Sequence, residues 1–267
     1  MRLIPLMSGS SGNATYVEAG KVRLLVDAGA TCKKVVEQLT AIGVTPDSLT
    51  AVLVTHEHID HVRGIGVLAR RYGVPIYACL AAWRQMPAAI GEIPAAQKKA
   101  FEPGMAFTLS GVSILPFPVP HDSVSCVGFR IDDGTARCGI TTDSGCMTEE
   151  MLNALTGCGV IVLEANHDVE MLRAGPYPYE LQMRILARDG HLSNADCGAA
   201  VAELARRGTR EFILAHLSED NNIPLLARTT VCSILHSAGF GEEIHVTVAE
   251  RYQVTGIFPV PEREAMA

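Results

Sequence analysis

Residues 55–61 read THEHIDH, which places three of the chain's nine histidines and two carboxylates in seven positions. Neutral imidazole and ionised carboxylate are the nitrogen and oxygen donors that zinc, manganese and iron accept. The four apolar residues before the cluster read as a strand, along which alternate side chains share a face. His56 and His58 can therefore project together, while Asp60 and His61 follow on the turn into the next helix. Seven residues cannot close two metal sites, so further donors are sought where apolar strands run into polar turns. His121 in PVPHDS, Asp143 in TTDSG and His216 in ILAHLSEDNN stand at such points. A lone histidine at a strand end is more often packed or solvated than ligating; the cluster is what makes these residues ligand candidates.

Other residue types could handle substrate. His191 in GHLSNAD lies outside that series and precedes Ser193 and Asn194 at the start of a predicted helix, where anions bind well. Ser193 and Asn194 are also the residue types that usually cap helices. Glu164 ends a predicted strand, and in the NHD that soon follows it His167 either binds substrate or fastens the turn. Arg173, Arg184 and Arg188 form either a phosphate track or a solvated face. The opening SGSSGN has the composition of a tight strand connection.

Positioning these groups requires an α/β fold. Strand patterns fall at residues 2–7, 14–18, 22–26, 51–54, 75–78, 112–116, 126–131, 137–141, 160–163, 212–215 and 245–248. Helical patterns fall at 32–42, 63–72, 149–155, 179–188, 195–207 and 225–237. Sheets covered by helices follow, although the pattern leaves open whether there are one or two. The expected organisation is a single domain over 1–267, with residues 81–107 as the stretch that could hold a modest lid or extra helix.

A net charge of −7 argues against generic nucleic-acid binding, which draws on Lys and Arg; a local positive field, part of it from bound metals, would be needed. No apolar run reaches the roughly 18 residues of a membrane span, and the opening residues are too short an apolar stretch for a signal peptide. Eight cysteines without a CxxC pair read as reduced thiols, so the expected location is the cytoplasm.

Asp27 in LLVDAG, THEHIDH, and then His121, Asp143 and His216 in order resemble the metallo-β-lactamase superfamily over nearly the whole chain. The resemblance implies a four-layer αββα sandwich with metals at one edge of two packed sheets. It implies that His56, His58 and His121 hold one metal and that Asp60, His61 and His216 hold a second. Asp143 would bridge the two, and Asp27 would orient a ligand histidine. Five segments, SGSSGNA, THEHIDHVRG, EANHDVEMLRAGPYP, GHLSNAD and HLSEDNN, are similar to the YycJ/WalJ-type branch, which is regarded as metal-dependent nucleases.

That branch implies a dinuclear phosphodiesterase, a 5′-to-3′ exonuclease on DNA or RNA ends, with zinc or manganese as metals; the donors also suit iron. In such a site the two metals lower the pKa of a bridging water, so that hydroxide exists near neutral pH. Catalytic roles would fall to Asp60, His191 and Glu164, with His191 contacting the scissile phosphate as in the related RNase J and RNase Z nucleases. Asn166, His167, Ser193 and Asn194 would bind substrate, and Ser10, Ser11 or Asn13 could reach it from the opening turn. The chain is too short for the clamping domain of RNase J. The alternatives are a small-molecule hydrolase of thioesters, lactones or cyclic phosphodiesters, which the acidic charge favours, and an iron oxidoreductase on the same fold, which His58 argues against.

Overall fold

A computed structural model describes residues 1–263. Short apolar runs rich in Val, Leu and Ile, punctuated by turns, form two seven-stranded sheets. The first contains β1 (Arg2–Met7), β2 (Ala14–Ala19), β3 (Val22–Val26), β4 (Ala51–Leu53), β5 (Ile76–Cys79) and β6 (Lys98–Phe101), paired in that order. The second contains β7 (Phe107–Leu109), β8 (Val112–Val119), β9 (Cys126–Asp132), β10 (Arg137–Thr141), β11 (Val160–Glu164), β12 (Glu211–Ala215) and β13 (His245–Val248), also in order. A last short strand, β14 (Phe258–Pro259), closes the outer side of β1. In each sheet an antiparallel part passes into a parallel part, at β3 to β6 and at β10 to β13. Parallel strands present their C-terminal ends to one edge, which is where the functional residues lie.

Side-chain alternation separates two apolar clusters. In β11, Val160 and Val162 point into a cluster shared with the first sheet, while Ile161 and Leu163 point outward. β12 repeats the pattern with Ile213 and Ala215 inside and Phe212 and Leu214 outside. The outer faces are covered by helices: α1 (Cys32–Ala41) and α3 (Ile65–Tyr72) pack with the first sheet. On the second, α5 (Glu149–Leu155), α8 (Asn194–Arg206) and α9 (Pro224–Ser237) do the same. The four-layer α/β sandwich is thus present.

The structure refines the local expectations. The predicted helix at 63–72 is α3, beginning at Ile65, and a separate short helix, α2 (Ile59–Val62), precedes it, so Asp60 and His61 sit within a helical turn. Of the lid or extra helix expected over 81–107, the segment holds the helix, α4 (Leu80–Gln85); a short helical turn at Ala88–Ile90 follows, and then β6, whose lysines 98 and 99 are exposed and give no apolar period. Two short helices, α6 (Val169–Ala174) and α7 (Tyr179–Ile185), follow β11; α6 buries only Leu172 and so leaves no pattern to read.

Candidate metal centre

Three functional positions stand in the left-handed region just past strand ends: Asp27 at φ 60°, Asp143 at 57° and His216 at 55°. Such backbone is costly for non-glycine residues and persists only where neighbours impose it. Asp27 N donates to Leu53 O at 2.8 Å, and its carboxylate accepts from Thr55 N and Thr55 Oγ1, each at 2.8 Å. His216 N donates to Ser8 Oγ at 2.7 Å, and Ser144 N, next to Asp143, donates to Glu164 Oε2 at 2.8 Å. These bonds turn the side chains from the strand axes toward a common centre.

His56, His58 and His121 converge there, as do Asp60, His61 and His216; in each trio the candidate ligand atoms lie within 4.8 Å of one another. Asp143 reaches both trios, with Oδ2 3.1 Å from His61 Nε2 and Oδ1 3.9 Å from His121 Nε2. Asp27 lies behind the cluster, 2.7 Å from His61 Nδ1, which directs His61 Nε2 inward. Among the described residues, His56 Nε2 and His216 Nε2 are buried without a hydrogen-bond partner. Burial opposes charge on His61 and His216, yet Asp143 and its neighbours outweigh it and push both rings toward the imidazolium form. A centre that gathers carboxylates, orphaned ring nitrogens and a demand for positive charge fits divalent cations.

On one side of the cluster, Glu164 is fully buried and accepts from His191 Nδ1 and His216 Nδ1, both at 2.8 Å, and from Leu192 N at 3.1 Å. Burial would raise its carboxyl, but His191 and His216 hold it below the usual range. Glu164 was expected to be catalytic; it does not line the cleft, and its Oε1 lies between the Nδ1 atoms of His191 and His216. Ser193 and Asn194 also differ from expectation. Ser193 Oγ accepts from Asp196 N at 3.1 Å as a helix cap, and Asn194 exchanges amide hydrogen bonds with Asn222 at 3.0 and 2.8 Å. His167 is buried and does not line the cleft; its backbone O accepts from Asn194 N at 2.8 Å, while its ring nitrogens have no hydrogen-bond partner among the described residues. Of the four expected substrate contacts, only Asn166 lines the cleft.

Sequence reasoning missed Thr55, whose hydroxyl lies 3.0 Å from His56 Nδ1 and 3.2 Å from His61 Nδ1 while it bonds Asp27. Its place at the head of THEHIDH was the available signal. Asn13 belongs to the same support, with Nδ2 3.1 Å from His61 Nε2, so it is packed away; Ser10 is exposed and lines the cleft. The cleft above the cluster has a volume of about 270 Å³ and is walled by Tyr177, Leu181, Arg184 and Ile185 of the α7 arm.

Two helix-covered sheets with a histidine and aspartate cluster at the strand ends define the metallo-β-lactamase fold. The chain belongs to this superfamily: residues 22–217 match the family described as the beta-lactamase superfamily domain. Within it, the chain is similar to the protein named exodeoxyribonuclease YycJ from Bacillus anthracis, at 39% identity over 246 residues, 91% of this chain and 93% of that protein. It is likewise similar to exodeoxyribonuclease WalJ from Streptococcus pneumoniae, at 40% identity over 238 residues, 88% of each chain. In fold it matches the crystal structure of the metallo-β-lactamase fold protein YhfI from Bacillus subtilis, with a TM-score of 0.73 at 22% identity over 95% of this chain and 98% of that one.

Proposed function

We propose that the protein is a dinuclear metal-dependent phosphodiesterase, a 5′-to-3′ exonuclease acting on DNA ends, built as one domain over 1–267 and working in the cytoplasm. The observation that carries the reading is the convergence of seven His and Asp donors on one buried centre, with His191 held beside it by Glu164. The substrate class draws on the relatives named exodeoxyribonuclease. One apolar cluster joining both sheets supports the single domain, and eight free cysteines accord with a reducing compartment.

His56, His58 and His121 would hold one cation and Asp60, His61 and His216 the other, with Asp143 shared. Zinc or manganese suits this donor set, and iron is compatible with it. When bound, two divalent cations would supply Lewis acidity and would acidify a water molecule. The chain's own residues do the rest. Asp60, with 22% of its side chain exposed against 3% for Asp143, is the carboxylate open enough to accept a hydrogen bond from the attacking water. Burial opposes protonation of His191, but the Glu164 carboxylate at Nδ1 outweighs it and raises the ring's pKa. Nε2 then carries a proton beside the cleft. As attack on phosphorus breaks the P–O bond, that proton can pass to the departing oxygen. Asn166, whose amide donates to His216 O at 3.0 Å, is the one of the four expected substrate contacts that lines the cleft.

The test is digestion of 5′-labelled single- and double-stranded DNA and RNA with zinc or manganese supplied, using Asp60→Ala as control. Metal-dependent nucleotide release by the wild type is expected, lowered by about 10²–10⁴-fold in the variant. No cleavage with any metal, alongside turnover of a thioester or lactone, would move the activity to the small-molecule hydrolases.

A further inference from the structure

The α7 helix has no fully buried side chain; Leu181 and Ile185 are half-buried at the cleft, so apolar packing alone anchors it weakly. Polar tethers add to it. Tyr177 Oη donates to Asp220 Oδ2 at 2.8 Å, Gln182 Nε2 donates to Tyr177 O at 2.9 Å, and Arg184 pairs with Asp122. Of the three arginines in this region, Arg173 pairs with Glu170 in solvent and Arg188 is exposed away from the cleft lining. Arg184 is the one Lys or Arg among the described residues that line the cleft, which it shares with His58, Asp60 and Asp143. Its side chain is 63% exposed, so it is open to a ligand from solvent.

A nucleic-acid strand carries one negative charge per nucleotide, and the metal centre can meet only the scissile phosphate. The next phosphate would face Asp60 and Asp122 on a chain of net charge −7. A guanidinium fork is suited to that phosphate, since it offers paired donors and stays charged at every working pH. Asp122 keeps the fork at the cleft mouth, and its other oxygen, Oδ1, lies 3.3 Å from His121 Nε2, so the fork is tied to the centre itself. The cleft, about 270 Å³ and open to solvent, falls just below the ~300–1,000 Å³ of usual small-ligand sites, so a polynucleotide chain would have to continue beyond it, past the Arg184 wall.

We propose that Arg184 binds the backbone phosphate adjacent to the scissile one, which makes the α7 arm the wall along which a single strand is drawn. The proposal rests on the nuclease reading above. Its test is steady-state digestion of a single-stranded DNA oligonucleotide over a series of salt concentrations by metal-loaded wild type, Arg184→Ala and Asp220→Ala, with metal content measured in each. Arg184→Ala should raise KM by about tenfold, with a smaller change in kcat. It should also flatten the dependence of log(kcat/KM) on log salt by about 0.7, the share of one single-strand phosphate contact. Asp220→Ala releases the Tyr177 tether while keeping the cation, and should retain the wild-type salt slope. A wild-type KM and slope in Arg184→Ala would overturn the proposal, as would the same flattening in Asp220→Ala, which would assign the effect to arm placement. A wild type that leaves every oligonucleotide intact would instead refute the nuclease reading, an outcome distinct from an unaltered slope in a working enzyme.

Discussion

At the scale of single residues, the site divides into groups that face the cleft and groups that hold them. His191 and Glu164 illustrate the division: they share a 2.8 Å contact, yet His191 lines the cleft and Glu164 is sealed beneath it. His191→Ala should therefore lower phosphodiester turnover by about 10²–10⁴-fold while elemental analysis finds the metal content unchanged. Glu164→Ala should reduce both, because the same carboxylate also holds His216 and the amide of Ser144. Normal turnover in His191→Ala would remove the ring from the mechanism. Full metal occupancy in Glu164→Ala would deny its carboxylate a positioning role.

At the scale of elements, the centre depends on how closely loops approach. The turn after β3 runs directly beneath α2: Gly29 N donates to Asn13 O at 2.8 Å, and Asn13 N donates to Asp60 O at 2.9 Å. A methyl group at Gly29 would stand 1.5 Å from Asp60 O, which is backbone and cannot yield without moving the helix that carries Asp60 and His61. Gly29→Ala should cost at least about 1–3 kcal/mol in stability, as overpacking does, and should lower metal content. A variant with wild-type melting and wild-type metal content would show that the turn has room the structure does not reveal.

At the scale of the whole molecule, the seven proposed ligands follow four strands in two sheets, β4 in the first and β8, β10 and β12 in the second, so a bound metal pair would tie the halves together. A ligand that binds only the folded state stabilises it by mass action, about 2.7 kcal/mol at a concentration 100 times Kd. Stripping metal with a chelator should accordingly lower Tm by roughly 5–10 °C for a chain of this size, and added zinc or manganese should restore it. An unchanged Tm would mean that the cluster binds no cation tightly.

The sequence by itself determined most of the elements and the candidate donors. Strands such as VIVLE and FILA are legible because their apolar runs are long enough to bury both faces, and THEHIDH is legible because its donors are adjacent along the chain. The edge strand β6, with exposed lysines, and the short helix α6 carry no periodic signal and were not legible. Only the tertiary structure decided which polar residues face the cleft. Ser193, Asn194 and Arg184 are all polar residues near GHLSN or just before it, but the first two are spent on a helix cap and an amide pair while the third reaches the cleft mouth. That outcome depends on contacts across large sequence separations, such as Asn194 with Asn222 and Arg184 with Asp122, and no local pattern encodes them.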